Sequence, residues 1–144
     1  MKLKLLFFMG FLSVLCNTVN AINGGPIIPK PVSLPPTISA NEFIQQNIAS
    51  QVTCPGVIVA NIVFYIDDDQ TIFPSLIVTA TSDNQSLLPD ANLAIYGVSQ
   101  GDRFITVTPI SGQLGDANVT ITVEDGDGQK TSTTFRVTTQ DSAP

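Results

Sequence analysis

From Asn118 to Glu124 the chain alternates polar and apolar residues without a break: Asn-Val-Thr-Ile-Thr-Val-Glu. A period of two is what a strand with one buried face requires. After Asp125-Gly126-Asp127-Gly128 the alternation resumes over 131–138 as Thr-Ser-Thr-Thr-Phe-Arg-Val-Thr. Asp-Gly pairs between two β-branched runs predict an antiparallel hairpin, because glycine accepts the positive φ that such turns need. Val119, Ile121, Val123, Phe135 and Val137 are then candidate core residues, and the threonines face water. One half-buried hairpin is not stable alone. Earlier segments must therefore supply an opposing sheet.

They offer five more strands. Thr37-Ile38-Ser39 predicts a short first strand, and residues 57–66 a long β-branched one with Ile62, Phe64 and Ile66 on one face. Asp67-Asp68-Asp69 ends it. Further strands are expected at 76–81, 93–96 and 103–108, before the hairpin arms at 117–124 and 130–139. Gly, Pro and Asp punctuate the intervals. The segment 41–50, with Phe43, Ile44 and Ile48, fits an edge strand, a turn or one helical turn equally. Seven short strands at even spacing, with no convincing amphipathic helix after the first 21 residues, predict an all-β fold. The expected architecture is a seven-stranded antiparallel sandwich of immunoglobulin type over 37–140.

The N-terminus reads differently. Lys2 and Lys4 precede an apolar run from Leu5 to Leu15, and Val19-Asn20-Ala21 offers small residues at the positions that signal peptidase reads. Residues 1–21 are expected to be a secretory signal peptide cut after Ala21, which would leave no membrane span. A lipoprotein signal ending at Cys16 fits less well, since Leu15 is bulky where a small residue is wanted. Residues 22–36 contain Pro26, Pro29, Pro31, Pro35 and Pro36 after Gly24-Gly25, and predict an extended, semi-rigid linker.

Cleavage changes the charge balance. The whole chain has twelve acids against six bases, a net charge of −6. The mature chain keeps Lys30, Arg103, Lys130 and Arg136, so four minus twelve gives −8. That balance repels phosphate backbones and anionic membranes, which argues against nucleic acid as a partner. Cys54 is the one cysteine left, so no internal disulfide can form. It is expected to be a buried free thiol, the alternative being a bond to another molecule.

From about Pro35 to Thr139 the chain resembles the cadherin-like, immunoglobulin-fold repeats of bacterial surface and secreted proteins. The phrases that carry the resemblance begin with Pro36-Thr37-Ile38-Ser39 and the stretch 76–84, Leu-Ile-Val-Thr-Ala-Thr-Ser-Asp-Asn. They continue with Leu88 to Leu93, Arg103 to Pro109, and Gly112-Gln113-Leu114-Gly115 running into Val119 to Asp125. The resemblance implies a stalk, spacer or adhesive unit with no shared chemistry. The chain is expected to be an exported, non-catalytic binding or structural module in the periplasm or outside the cell. It would meet another protein or a surface ligand through its sheet edges or polar loops. Alternatives are a calcium-dependent adhesion unit and a secreted inhibitor or effector of another protein. Asp67-x-Asp69 is similar to the family's calcium ligands. The chain departs from the pattern in holding one repeat rather than several. It also has Gln45-Gln46-Asn47-Ile48-Ala49 where an acidic segment is usual.

Candidate chemistry is sparse. With no histidine in the chain, neither a Ser-His nor a Cys-His dyad can be built, nor an ordinary zinc site. Nucleophile-elbow and phosphate-loop motifs are absent, and no pair of acids stands out as acid and base. A non-catalytic module without an organic cofactor is expected. The acids matter as a group instead. The loops leaving the strands at 57–66, 93–96 and 117–124 should meet at the pole where the first strand begins, gathering Asp67, Asp68, Asp69, Asp102, Asp125 and Asp127. Crowded carboxylates suit a hard cation, so Asp67, Asp69, Asp125 and Asp127 form a candidate calcium set, with simple solvated turns as the competing reading. Asp125 does not open an EF-hand, because Lys130 and Arg136 stand where its Gly and Glu belong. Asn84-Gln85-Ser86 and Asn118-Val119-Thr120 are glycosylation sequons, relevant in a eukaryotic secretory pathway alone.

Overall fold

The structure, a computed structural model, describes residues 32–40, 47–97 and 101–141. The expected signal peptide, most of the proline-rich segment and residues 41–46 lie outside the described residues.

Among the described residues eight strands form two sheets: β1 (Thr37–Ser39), β2 (Gln51–Thr53), β3 (Val59–Asp67), β4 (Ile77–Ser82), β5 (Leu93–Gly97), β6 (Asp102–Val107), β7 (Gly115–Glu124) and β8 (Lys130–Thr139). One sheet runs β1-β3-β6-β5 and the other β2-β8-β7-β4. The first edge strand, β1, belongs to one sheet and the second, β2, to the other. This is an immunoglobulin-like sandwich.

The hairpin follows the sequence pattern. Val119 lies opposite Phe135, and Thr120 opposite Thr134. Val119, Ile121, Val123 and Val137 are fully buried, and Phe135 nearly so. On the outer face, the hydroxyls of Thr120 and Thr134 pair at 3.0 Å and those of Thr122 and Ser132 at 2.8 Å. Gly128 N–H closes the turn on the Asp125 carbonyl at 3.2 Å, and Gly128 takes a φ of 83°. This left-handed position is why a glycine stands there.

Ile62, Phe64 and Ile66 of β3, with Ile105 and Val107 of β6, face the hairpin from the other sheet. Leu87 and Leu88 seal the core from the loop between β4 and β5, and Ile48 adds to it from the segment before β2. Residues 32–36, assigned above to the linker, join the domain: Pro36 is fully buried.

Three features differ from the expected sandwich. β2 is an eighth strand, and it pairs with β8 in parallel, so the sandwich is not wholly antiparallel. That pairing covers β8 and leaves β1, β5, β2 and β4 as the edges. The long strand expected from 57 starts at Val59, because Cys54-Pro55-Gly56-Val57 is a turn. Its closing bond runs from Val57 N–H to the Cys54 carbonyl at 3.1 Å, and Gly56 has a φ of 75°. Proline then glycine at the two central positions suits a type II turn. Cys54 at this corner is a free thiol and half-buried, not buried as expected.

Candidate functional site

The acidic residues were expected to meet where β1 begins, and the backbone brings their loops together there. Thr37 lies opposite Asp67, so residues 32–36 run beside the loop that follows β3. Leu34 N–H donates to Asp69 Oδ1 at 3.3 Å, and Gln129 Nε2 donates to the Ser33 carbonyl at 3.0 Å. Gly126 N–H donates to Thr71 Oγ1 at 3.2 Å, tying the β7–β8 loop to the β3–β4 loop. Ile66 N–H reaches the Gly101 carbonyl at 3.0 Å and fixes the start of β6 at the same end. Beside these contacts, residues 68–74 border an open depression of about 270 Å³.

The carboxylates act here as caps for the loops. Asp67 Oδ1 accepts the Asp68 N–H at 2.9 Å. Asp68 Oδ2 accepts those of Gln70 at 3.1 Å and Thr71 at 2.5 Å. Burial opposes ionisation of Asp68, but the amides of Thr71 and Gln70 outweigh it and hold the carboxyl below its ordinary value. Asp125 is 4% exposed, and its Oδ1 accepts the N–H groups of Asp127 and Gln129, both at 2.8 Å. Such Asx-type contacts are what short acidic residues do in turns.

Of the candidate calcium residues, then, Asp67, Asp69 and Asp125 each commit an oxygen to a backbone amide, and Asp127 sits on the exposed tip of its loop. Among the described residues no three His, Cys, Asp or Glu side chains gather as a metal-holding group. The residues passed over are Asp68 and Ser33. Three oxygens at this pole are buried without a hydrogen-bond partner: Ser33 Oγ, Asp68 Oδ1 and Asp125 Oδ2. For Asp68 a signal existed. Continuing the period of two beyond Ile66 turns Asp67 and Asp69 outward and Asp68 inward, and the burial pattern follows that order. Nothing in the linker pattern marked Ser33.

Elsewhere the acids hold strands and loops in place. Asp116 makes a two-pronged contact with Arg136, through Nε at 2.9 Å and Nη2 at 2.5 Å, and accepts the Thr138 hydroxyl at 2.6 Å. Those contacts, Arg136 first, lower the Asp116 pKa. Asp83 accepts the backbone and side-chain N–H groups of Asn118, both at 2.7 Å, which lowers its pKa too. Asp90 Oδ1 accepts the Gln85 amide and the Ser82 N–H, both at 2.7 Å, with the same consequence. Lys130 and Glu124 pair across the hairpin at 3.0 Å.

No family model and no curated protein sequence matches the chain. Among solved structures, the tandem Ig repeats of Dlar are similar with a TM-score of 0.53 and 15% identity, over 76% of this chain and 50% of theirs. The N-terminal Ig1-2 module of the Drosophila receptor protein tyrosine phosphatase DLAR is similar at 0.49 and 16% identity, over 77% and 53%. A nucleoside hydrolase-related hypothetical protein from Saccharophagus degradans is similar at 0.49 and 14% identity, over 75% and 26%. The chain spans about half the length of the Dlar repeats it matches. At such identity the likeness is one of fold.

Proposed function

We propose that this chain is an exported, non-catalytic immunoglobulin-like module that binds another protein or a surface ligand at the bacterial envelope or outside the cell. The basic and apolar start of residues 1–21 supports export. The chemistry of the side chains supports the lack of catalysis: the chain has no histidine, and among the described residues several of its acids, Asp68, Asp83, Asp90, Asp116 and Asp125 among them, are engaged in turns and ion pairs. Protein recovered from periplasm or medium is expected to begin at Ile22 by mass spectrometry. Intact Met1 on a cytoplasmic protein would end the export reading.

The observation that carries the binding function is the pair of long open edges. β1 and β2 span three residues each, whereas β4 has six and β5 five. β4 and β5 approach one another across the sandwich, so both edges lie on one side. An edge strand presents unpaired N–H and C=O groups to any chain that can add as a further strand. Natural edges are commonly blunted by lysine or proline; β4 has neither, and it exposes Ile77 at 57%. Tyr96 of β5 is exposed at 43%. A pull-down from the envelope with the mature domain, compared with Ile77→Lys/Thr79→Lys, is the test. The double variant is expected to fold, since both residues face outward, and to lose the captured protein. Equal capture by both forms would place binding elsewhere.

A further inference from the structure

In a strand, the N–H and C=O of one residue point to one side and those of the next residue to the other. Asp83, just past β4, gives its N–H to the Asn118 carbonyl of β7 at 3.1 Å. Ser82 faces the opposite way. Its N–H goes to Asp90 Oδ1 at 2.7 Å, and its carbonyl accepts Gln85 Nε2 at 2.7 Å. Val78 and Ala80 share the phase of Ser82, so their N–H and C=O groups point away from β7. No described strand lies beyond β4. The open ledge of this edge therefore runs from Val78 to Ala80, and the Asp90 and Gln85 caps close it at one end.

Charge selects what can add there. The chain from Ile22 has a net charge of −8, so two copies repel through most of their surface. Along β4 they do not: Leu76 to Ser82 holds no charged residue. Its exposed side chains are Ile77, Thr79 and Thr81. The ledge is also symmetric about its centre, with one open residue on each side of Thr79.

We propose that β4 pairs antiparallel with β4 of a second copy of this chain, about a two-fold axis at Thr79. The inference rests on the edge-strand reading above and names the partner of that edge. Val78 lies opposite Ala80 of the second copy and exchanges both backbone hydrogen bonds with it, and Ala80 does the same with Val78. Thr79 meets its own counterpart at the non-hydrogen-bonded position between them, where side chains come closest. Within the sheet Thr79 already lies opposite Thr122, whose hydroxyl pairs with that of Ser132 at 2.8 Å. Pairing joins the two outer faces in one row of hydroxyls, and Thr–Thr is a favourable cross-strand pair. Ile77, exposed at 57%, is covered by Thr81 of the second copy. Asp83 falls opposite Ser75 of the second copy. The two Asp83 carboxylates then stand about 26 Å apart along the strands. That is several times the screening length of about 8 Å at physiological salt.

The test is sedimentation equilibrium of the chain from Ile22 over a range of concentrations, at low and at physiological salt. A reversible monomer–dimer equilibrium is expected, tighter at the higher salt as repulsion is screened. Thr79→Lys should weaken dimerisation tenfold or more, because it sets like charges opposite each other. The direction matters: an added lysine lowers the net negative charge, so an unspecific association would tighten instead. Ser111→Lys, which adds the same charge in the turn after β6, should leave the dimer intact or tighten it. A second variant reads the register by a gain. Cys54→Ser/Thr79→Cys in a glutathione redox buffer should give disulfide-linked dimers. A non-hydrogen-bonded pair has Cα atoms about 4.5 Å apart, within the disulfide range of about 4.4–6.8 Å. Cys54→Ser/Ile77→Cys should not cross-link, since that register sets its two counterparts well apart. A chain that stays monomeric at every concentration overturns the inference. So does a dimer that Thr79→Lys leaves intact or that Thr79→Cys does not cross-link. The edge-strand reading fails separately, when capture in the pull-down survives Ile77→Lys/Thr79→Lys. A monomeric chain whose capture that variant abolishes has a different protein on β4.

Discussion

Adjacent residues of β7 have opposite fates, and that contrast sets the first test of the core. Ile121 is fully buried between the sheets, whereas the hydroxyl of Thr122 meets that of Ser132 on the outer face. Ile121→Ala removes buried methyl groups and leaves a cavity that surrounding strands cannot close fully. It should cost about 2–5 kcal/mol in denaturant melts. Thr122→Ala loses one solvent-side hydroxyl pair, in the range of about 0.2–1 kcal/mol for cross-strand contacts. Comparable losses from the two would place the core on the wrong face of β7. The same alternation separates Asp68 from its neighbours. An inward acid cannot be solvated as an outward one is, so its second oxygen becomes a feature that needs explaining.

At the scale of elements, legibility depended on whether a strand's identity is local. The β7–β8 hairpin could be read because one face is buried, the other is wet, and the turn glycine lies between them. β2 could not. Its three residues, Gln51-Val52-Thr53, carry no alternation long enough to detect, and their partner Val137–Thr139 lies far along the chain. β3 was legible from Ile62 onward but not at its start, since Val57-Ile58-Val59 is apolar throughout and hides its phase. There a bulge sets four residues of β3, Val59 to Ile62, against three of β6, Val107 to Ile105. Asn61 takes a φ of 58° inside it, a conformation that asparagine tolerates better than most residues. Leu87 and Leu88 lie in the interval between the strands expected at 76–81 and 93–96, and they are core. The Asn84 carbonyl holds Leu88 N–H at 2.8 Å, and the Leu87 carbonyl holds Ile110 N–H at 2.8 Å. Folding this loop inward takes a partner, Ile110, from the segment after β6, which no local pattern displays. The candidate site was legible to the same degree: the pole followed from strand order, but its orphaned oxygens follow from side-chain burial.

For the whole molecule the acids act in two opposing ways, and pH separates them. An excess of negative charge repels itself, so partial protonation on descending from pH 7 relieves strain on the compact state. Against this, Asp68, Asp83, Asp90 and Asp116 have folded-state pKa values below their ordinary values. A group whose pKa is depressed on folding contributes stability above its unfolded value, near 3.9 for Asp, and loses it as pH falls through the folded value. The melting temperature should accordingly stay level or rise slightly from pH 7 to about 5, then fall below about pH 4. Part of that fall should come from two exposed contacts, the Asp83–Asn118 pair and the Asp90 link to Ser82 and Gln85. In Asp83→Asn/Asp90→Asn the acid limb should flatten, with a lower melting temperature at pH 7 that converges on wild type once pH falls below the depressed folded values. A melting temperature that climbs all the way to pH 3 would show that relief of repulsion, and not the loss of these caps, governs the acid response.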